Sequence, residues 1–332
     1  MKTPADFPRV SLGFLPTPIE PLARLSAELG IDLALKRDDF TGFGGGGNKV
    51  RKLEFLMAEA IAVGAGVLIT TGGHQSNHAR MVAAAARKFG MEAVLVLRGN
   101  PPTAYQGNLL LDRLFGATLE FLEPTAYFTE IEPRMAAHAD AARAAGKVPY
   151  VIPLGGATAT GALGYVRAVE EMDAQLKALG RPAPDAIVAP TGSGGTLAGL
   201  RLGAARYWPT TRVIGISVSR ERAWFQQRIA AMVNDCAALL DWPERVAPDE
   251  IEIEDGHVGT AYGVPSPGGN AAVSRLAATE GVLLDPVYTG KAMDGLFGLV
   301  ASGALARGSR VIFVHCGGSP ALYPFADALL TA

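Results

Sequence analysis

The chain reads as an α/β protein with parallel sheet wound by helices on both faces, and three observations predict this. Apolar strand-like runs alternate with helix-period segments from one end to the other. Those runs are continuously apolar, as expected of strands covered on both sides. Glycine-rich loops repeatedly join the end of a strand to the start of a helix, which is the connection a parallel sheet needs.

Taken in order, "PTPIEPLARLSAELG" (16–30) gives a proline-bounded turn and a helix, and "DLALKRDD" (32–39) alternates like a strand. "TGFGGGGNKVRKLEF" (41–55) places four glycines before Asn48 and Lys49, where a helix starts. "GVLITTGG" (66–73) reads as a buried strand, and "SNHARMVAAAARKFG" (76–90) as a helix capped by Ser76 or Asn77. "EAVLVLRG", "GNLLLDRLFG", "ATLEFLE", an Ala-rich helix around 129–145 and "VPYVIPLGG" continue the alternation. "GALGYVRAVEEMDAQLKALG" (161–180) is a long helix. After it come strand "DAIVAP", loop "TGSGGT", helix "LAGLRLGAARYW" and strand "RVIGISVS". A helix follows "DPVY", and "RVIFVHCGGSPAL" ends a strand at His315 and Cys316 before turning through Gly317 and Gly318 into a helix.

Composition excludes several classes. The 332 residues are 49% hydrophobic and 19% charged, enough for a sizeable core, and the formal charge of -2 leaves no basic excess for nucleic acid. No run approaches the roughly 18 apolar residues of a membrane span, and the N-terminus lacks an apolar leader, so a soluble cytoplasmic protein is expected. The two cysteines, Cys236 and Cys316, have no histidine at metal-ligand spacing beside them. His74 and His78 are four apart, but without the Glu of H-E-x-x-H no metal site is expected.

The glycine loop before Lys49 is not a P-loop, because Asn48 separates Gly47 from Lys49 and Val50 replaces the hydroxyl residue. At about 100° per residue, Val50, Leu53, Leu56, Met57, Ala60 and Ile61 form one apolar stripe. Lys49 projects onto it, Lys52 lies at its edge, and Arg51 faces roughly opposite as a solvated charge. Lys49 then either points its amine into apolar surroundings, with a depressed pKa suited to covalent chemistry, or snorkels out of the helix end. In "TGSGGT", Gly192, Gly194 and Gly195 let backbone amides converge while Ser193 and Thr196 add hydroxyls, either as a cup for one anion or as a tight turn. Leu197 breaks the dinucleotide fingerprint G-x-G-x-x-G. Gln75, Ser76, Asn77 and His78 cluster at another helix start, suited to a carboxylate. Tyr262 and Tyr288 stand in further turns.

This combination resembles the pyridoxal-phosphate enzymes of the tryptophan-synthase β fold (fold type II), and within them the D-cysteine desulfhydrase and 1-aminocyclopropane-1-carboxylate (ACC) deaminase family. The motifs carrying the resemblance run nearly end to end: "PTPIEPLARLS", "GGNKVRKLEFL", "QSNHAR", "GSGGTLAGL", "YGVP", "LLDPVYTGKAM" and "HCGGSPAL". It implies two domains, a large one from residues 1–50 and 162–332 and a smaller one from 51–161 that contributes the carboxylate loop. It further implies that Lys49 is the Schiff-base lysine of pyridoxal 5'-phosphate and that Lys52 with Ser193, Gly194, Gly195 and Thr196 holds the phosphate. Asn77 would meet the phenolic oxygen. Ser76, Gln75, Asn77 and His78 would lie by the substrate carboxylate, with Tyr262 and Tyr288 flanking the reacting centre. The glycines before Asn48 would let the chain pass close to the cofactor. Cys316 stands where the desulfhydrase-like members carry threonine near the pyridine nitrogen, and Thr289 stands where the ACC deaminases carry glutamate. The implied reaction is elimination from a small β-substituted amino acid, with D-cysteine foremost, L-cysteate or another D-β-substituted alanine as the alternative, and ring opening of ACC behind both. His74 replaces a residue commonly aliphatic in relatives. A homodimer with no nucleic-acid or membrane partner is expected.

Overall fold

The computed structural model describes residues 1–330. Strand β1 (Ile19–Pro21), helix α1 (Ala23–Leu29) and strand β2 (Asp32–Lys36) lead through short 3-10 turns to α2 (Lys49–Ala62). Then come β3 (Val67–Gly73), α3 (Asn77–Lys88), β4 (Glu92–Arg98), α4 (Asn108–Leu114), β5 (Thr118–Leu122), α5 (Tyr127–Ala144), β6 (Pro149–Val151) and α6 (Ala159–Ala178). The remainder is β7 (Ala186–Thr191), α7 (Gly195–Tyr207), β8 (Arg212–Ser217), α8 (Arg222–Leu239), β9 (Glu252–Glu254), α9 (Pro267–Glu280), α10 (Thr289–Ala301), β10 (Arg310–Val314) and α11 (Ala326–Leu330).

The strands form two sheets. One is ordered β1-β2-β10-β7-β8-β9 and the other β5-β4-β3-β6. Every pairing is parallel except β1 with β2, and β1 ends in Pro21 on an edge, where its missing N–H costs no ladder bond. This strand was read from the sequence only as a turn. In the larger sheet Ile187 and Ala189 of β7 pack into one apolar cluster while Ala186 and Val188 pack into another on the opposite face. Both faces are therefore covered, which is why the run is continuously apolar. The smaller sheet does the same, with Leu68 and Leu95 on one side and Val67, Ile69 and Val96 on the other. The boundaries expected at 50/51 and 161/162 fall inside the first turns of α2 and α6. Among the described residues no helix is long and apolar enough to cross a membrane.

Four expectations are corrected by the fold. Arg51 is not solvated but 1% exposed: its guanidinium donates to both Asp38 carboxylate oxygens at 2.8 Å and to both of Glu171 at 2.9 Å. Burial works against these charges, yet the nearby carboxylates raise the Arg51 pKa, and the Arg51 charge in turn lowers that of Asp38. Tyr165 donates to Asp38 and Lys36 pairs with Glu171, so the end of β2, which was expected to alternate, is buried on both sides. Ile61, assigned to the apolar stripe of α2, is exposed, because α2 is enclosed around its whole first half and emerges only at its end. The last strand does not run straight into a helix; two 3-10 turns, Ser319–Ala321 and Tyr323–Phe325, precede α11.

Candidate active site

The C-terminal ends of β3, β6, β7 and β10 open toward one another, and the loops that follow them enclose a cavity of about 590 Å³. The first turn of α2 presents Lys49 into it. Asn48, just before, is fixed by its backbone N–H to the Cys316 carbonyl at 3.0 Å and by its side-chain amide to Thr196 Oγ1 at 3.0 Å. The four glycines explain the approach, though not as the sequence implied. A Cβ on Gly46 would sit 2.1 Å from the Asp39 carbonyl oxygen and one on Gly47 2.8 Å from that of Cys316. The close contacts are therefore backbone to backbone, and Asn48 and Lys49, not the glycines, line the cavity. Arg80 ties the loop down by donating to Gly46 O at 2.8 Å.

Lys49 is half-buried on the cavity wall, and burial lowers its amine below the ordinary lysine value. Lys52, one turn on, is 1% exposed and lies well below that value, through burial first and the Lys49 charge second. Its one hydrogen bond among the described residues is to the Gly155 carbonyl at 3.2 Å. Two neighbouring amines without a carboxylate partner are costly unless a ligand supplies the negative charge. The loop at 192–196 is placed to contribute. Gly194 takes a left-handed conformation at the start of α7, and a Cβ on Gly195 would lie 2.9 Å from Lys52 Nζ. A Cβ on Gly155 would lie 2.2 Å from Ser193 Oγ, so the two glycine loops face each other across a small cradle. Arg228 on α8 donates to the Ser193 carbonyl at 3.2 Å and adds charge there, a residue for which the sequence offered no motif.

Opposite the cradle is the start of α3. Ser76 is its cap, its Oγ accepting from Ala79 N at 3.2 Å, which resolves the choice between Ser76 and Asn77. Asn77 Oδ1 accepts from Asn108 Nδ2 at 2.9 Å, which leaves the Asn77 amide N–H groups for the cavity. Asn108, at the start of α4, is thus a positioning residue that sequence reading missed. His78 lines the cavity and contacts Thr70 Oγ1 through Nε2 at 2.9 Å; burial lowers it well below the usual histidine value, so it is neutral. Gln75 is a correction. Its side chain donates to Gln106 O at 3.1 Å and accepts from Asn108 N at 2.8 Å, outside the cavity, because the turn before α3 rotates it toward α4. His74 also faces outward, edge-on to Phe121.

Tyr262 and Tyr288 come together, their hydroxyls 2.5 Å apart. Burial raises Tyr262 to about 12 and Tyr288 well above its ordinary value, so both stay protonated at neutral pH. Asp285 orients Tyr288 by accepting from the N–H groups of Val287, Tyr288 and Thr289, each at 2.9 Å. The Asp-Pro pair heading a helix is a signal that could have found it. Lys291 pins the loop bearing Tyr262 by donating to Val258 O at 2.6 Å and Ala261 O at 3.2 Å. Cys316 lines the cavity as a thiol pushed up to about 12 by burial. Thr289 is fully buried and bonded to Asp285 at 2.7 Å, away from the cavity lining.

Comparison with known proteins adds the following. The family described as pyridoxal-phosphate dependent enzyme matches residues 10–317. A Klebsiella pneumoniae protein named D-cysteine desulfhydrase is 42% identical over 328 residues, covering 96% of each chain. A solved structure titled as the ACC deaminase homologue is 39% identical with a TM-score of 0.90, covering 98% of this chain and 97% of its own. A fungal L-serine ammonia-lyase from Rhizomucor miehei, 18% identical with a TM-score of 0.69 over 98% of each chain, shares the fold.

Proposed function

The chain belongs to the pyridoxal-phosphate dependent enzyme family, and from that premise we propose a carbon-sulfur lyase that converts D-cysteine and water to pyruvate, ammonia and hydrogen sulfide. The observation that carries this reading is the pair of carboxylate-free amines on one helical turn. Lys49 faces the start of α3 and the tyrosine pair, and Lys52 faces the glycine cradle. The donor set fits pyridoxal 5'-phosphate: glycine at 155 and 195 lets Ser193 and the Lys52 amine approach the two loops closely, and Lys52 with Ser193 to Thr196 would hold the phosphate. Cys316 would face the ring nitrogen as a neutral, weak partner.

When bound, the cofactor supplies an aldehyde for the substrate amine and an electron sink for Cα. The chain's own groups do the rest. Ser76 and the backbone amides of Asn77 and His78 orient the substrate carboxylate at a helix N-terminus. Asn77, held by Asn108, would offer its amide N–H to the phenolic oxygen. Lys49, whose lowered pKa favours the neutral amine, takes the Cα proton. The Tyr262 and Tyr288 hydroxyls, both protonated, deliver a proton to the departing sulfur as the Cβ–S bond breaks. The enamine then takes up water and releases ammonia.

Opening of the ACC ring is set aside in this reading, because the Thr289 hydroxyl is committed to Asp285. The expectation of a cytoplasmic homodimer is kept and is checked by light scattering and fractionation. The deciding experiment is borohydride reduction of the cofactor-loaded protein followed by peptide mapping, with pyruvate release measured on D- and L-cysteine, L-cysteate, D-serine and ACC. A pyridoxyl group on Lys49 and preferential turnover of D-cysteine are expected. Label on Lys52, or equal turnover of ACC, would overturn the assignment.

A further inference from the structure

Beyond the tyrosine pair the cavity continues into a region that the elimination of a three-carbon substrate does not need. Its walls come from the end of β4, from the first turns of α5 and from the turn before α8. Arg98 closes β4 and is the register partner of Gly73, so it stands one strand away from the loop that carries Ser76. Its Cζ lies 5.6 Å from the centroid of the Phe128 ring. Arg220, in the turn before α8, lies 4.3 Å from the same ring and 5.6 Å from that of Trp224.

Neither guanidinium has a carboxylate partner among the described residues. Arg98 Nε is buried without any hydrogen-bond acceptor among the described residues. In this region Arg98 and Arg220 line the cavity against the single carboxylate of Glu132, which leaves it net positive. The Arg98 charge is felt at the Tyr262 and Tyr127 hydroxyls, where it opposes the burial that raises both. An arginine resting on an aromatic face keeps its in-plane N–H groups free and loses little further freedom when it binds a planar anion. Two such forks gathered at one ring on the cavity lining are suited to a carboxylate or sulfonate.

We infer that Arg98 and Arg220 form a second anion subsite, so that the protein favours amino acids whose side chain ends in a negative group over neutral ones of the same shape. This inference rests on the reading above, in which the Lys49 end of the cavity takes the cofactor and the α-carbon of the substrate. The reaction and the expected turnover of D-cysteine are unchanged; the subsite adds affinity for a negatively charged substituent on Cβ and is not needed for the neutral thiol.

Aspartate and asparagine differ in charge and hardly in shape, so they isolate the subsite. Each enantiomer is titrated into the pyridoxal-phosphate-loaded protein, with binding read from the cofactor absorbance and from calorimetry and with alanine as a reference. The tighter enantiomer of aspartate is expected to bind about 10-fold or more better than its asparagine counterpart, as for hydrogen bonds to a charged group. Arg98→Gln and Arg220→Gln should each shrink that ratio toward one while alanine binding stays within about 2-fold. If Arg98→Gln fails to retain cofactor, Arg220→Gln carries the test, since Arg220 is exposed and its loss leaves the core intact. Equal affinity for aspartate and asparagine in the unaltered protein would overturn the subsite, and a preference that survives in the arginine variants would overturn its assignment. A protein that takes up no pyridoxal phosphate would overturn the underlying reading, an outcome visible before any amino acid is added.

Discussion

Replacing Tyr288 by phenylalanine deletes one hydroxyl and keeps the ring, so it separates proton handling from packing. The deleted group is the partner of the Tyr262 hydroxyl at 2.5 Å, and both lie on the cavity wall, where water can take the vacated position. The stability loss should therefore sit at the low end of the about 1–3 kcal/mol for a polar group left unpaired. The effect on turnover is larger. With Tyr262 raised to about 12 and Tyr288 well above its ordinary value by burial, the pair enters the reaction holding both protons, of which one is used between them and one is available to the leaving group. Removing either hydroxyl ends that arrangement, and kcat should fall by a factor on the order of 10² or more. At the lower figure that is about 2.7 kcal/mol of barrier. The assay is pyruvate release from D-cysteine, with cofactor absorbance confirming full occupancy in Tyr288→Phe, Tyr262→Phe and the double variant. A shared role makes the double variant no slower than the worse single one. A kcat within about 2-fold of the unaltered protein at full occupancy would reduce Tyr288 to a packing surface. Additive losses would dissolve the pair into two separate contributions.

Three further outcomes are expected. Burial lowers the Lys49 amine below 10.5, and the reacting form is neutral, so cofactor uptake by the apoprotein should reach half its maximal rate below that pH; a midpoint at or above it would show that the amine is not desolvated. Gly195→Ala puts a methyl group 2.9 Å from Lys52 Nζ and 3.0 Å from the Ala157 Cα, and a strain of about 1–3 kcal/mol should weaken retention of pyridoxal phosphate in dialysis by about 10-fold or more. Arg51→Met takes from buried Asp38 the guanidinium paired with it, while Lys36 still pairs with Glu171, and should cost about 3–5 kcal/mol in denaturant unfolding. Because Arg51 lowers the Asp38 pKa, its stabilisation is present above the unfolded value of 3.8 and is lost as pH falls through the folded value. The gap between the two proteins should thus narrow in acid, and a gap independent of pH would mean that packing, not charge, is at stake.

The parts of the site legible in the sequence were those set by local rules. Lys49 stood out because a helix start followed glycines, and Ser76 because it preceded a helix with free amides. Cys316 and the 192–196 loop stood out because parallel strands end at one edge. Gln75 was misplaced because a turn one residue before a cap can rotate its side chain either way, and Asn108 settles it from 33 positions along the chain. Asn108, Lys291 and Arg228 were not found, since each acts by holding a loop that is distant in sequence.

The sequence by itself determined the α/β alternation and the order of the glycine loops, because strand period, helix period and glycine placement are properties of neighbouring residues. Only the tertiary structure decided that Arg51 is buried, since its counter-charges Asp38 and Glu171 lie 13 and 120 residues away and periodicity alone assigns an isolated charge to solvent. It likewise decided that the glycines of the Lys49 loop fit against backbone carbonyls and that Tyr262 and Tyr288 share a proton contact. Arg98 and Arg220 meet across one ring for the same reason. Each depends on which groups long-range packing brings within a few ångströms, and a chain read residue by residue carries no record of that distance.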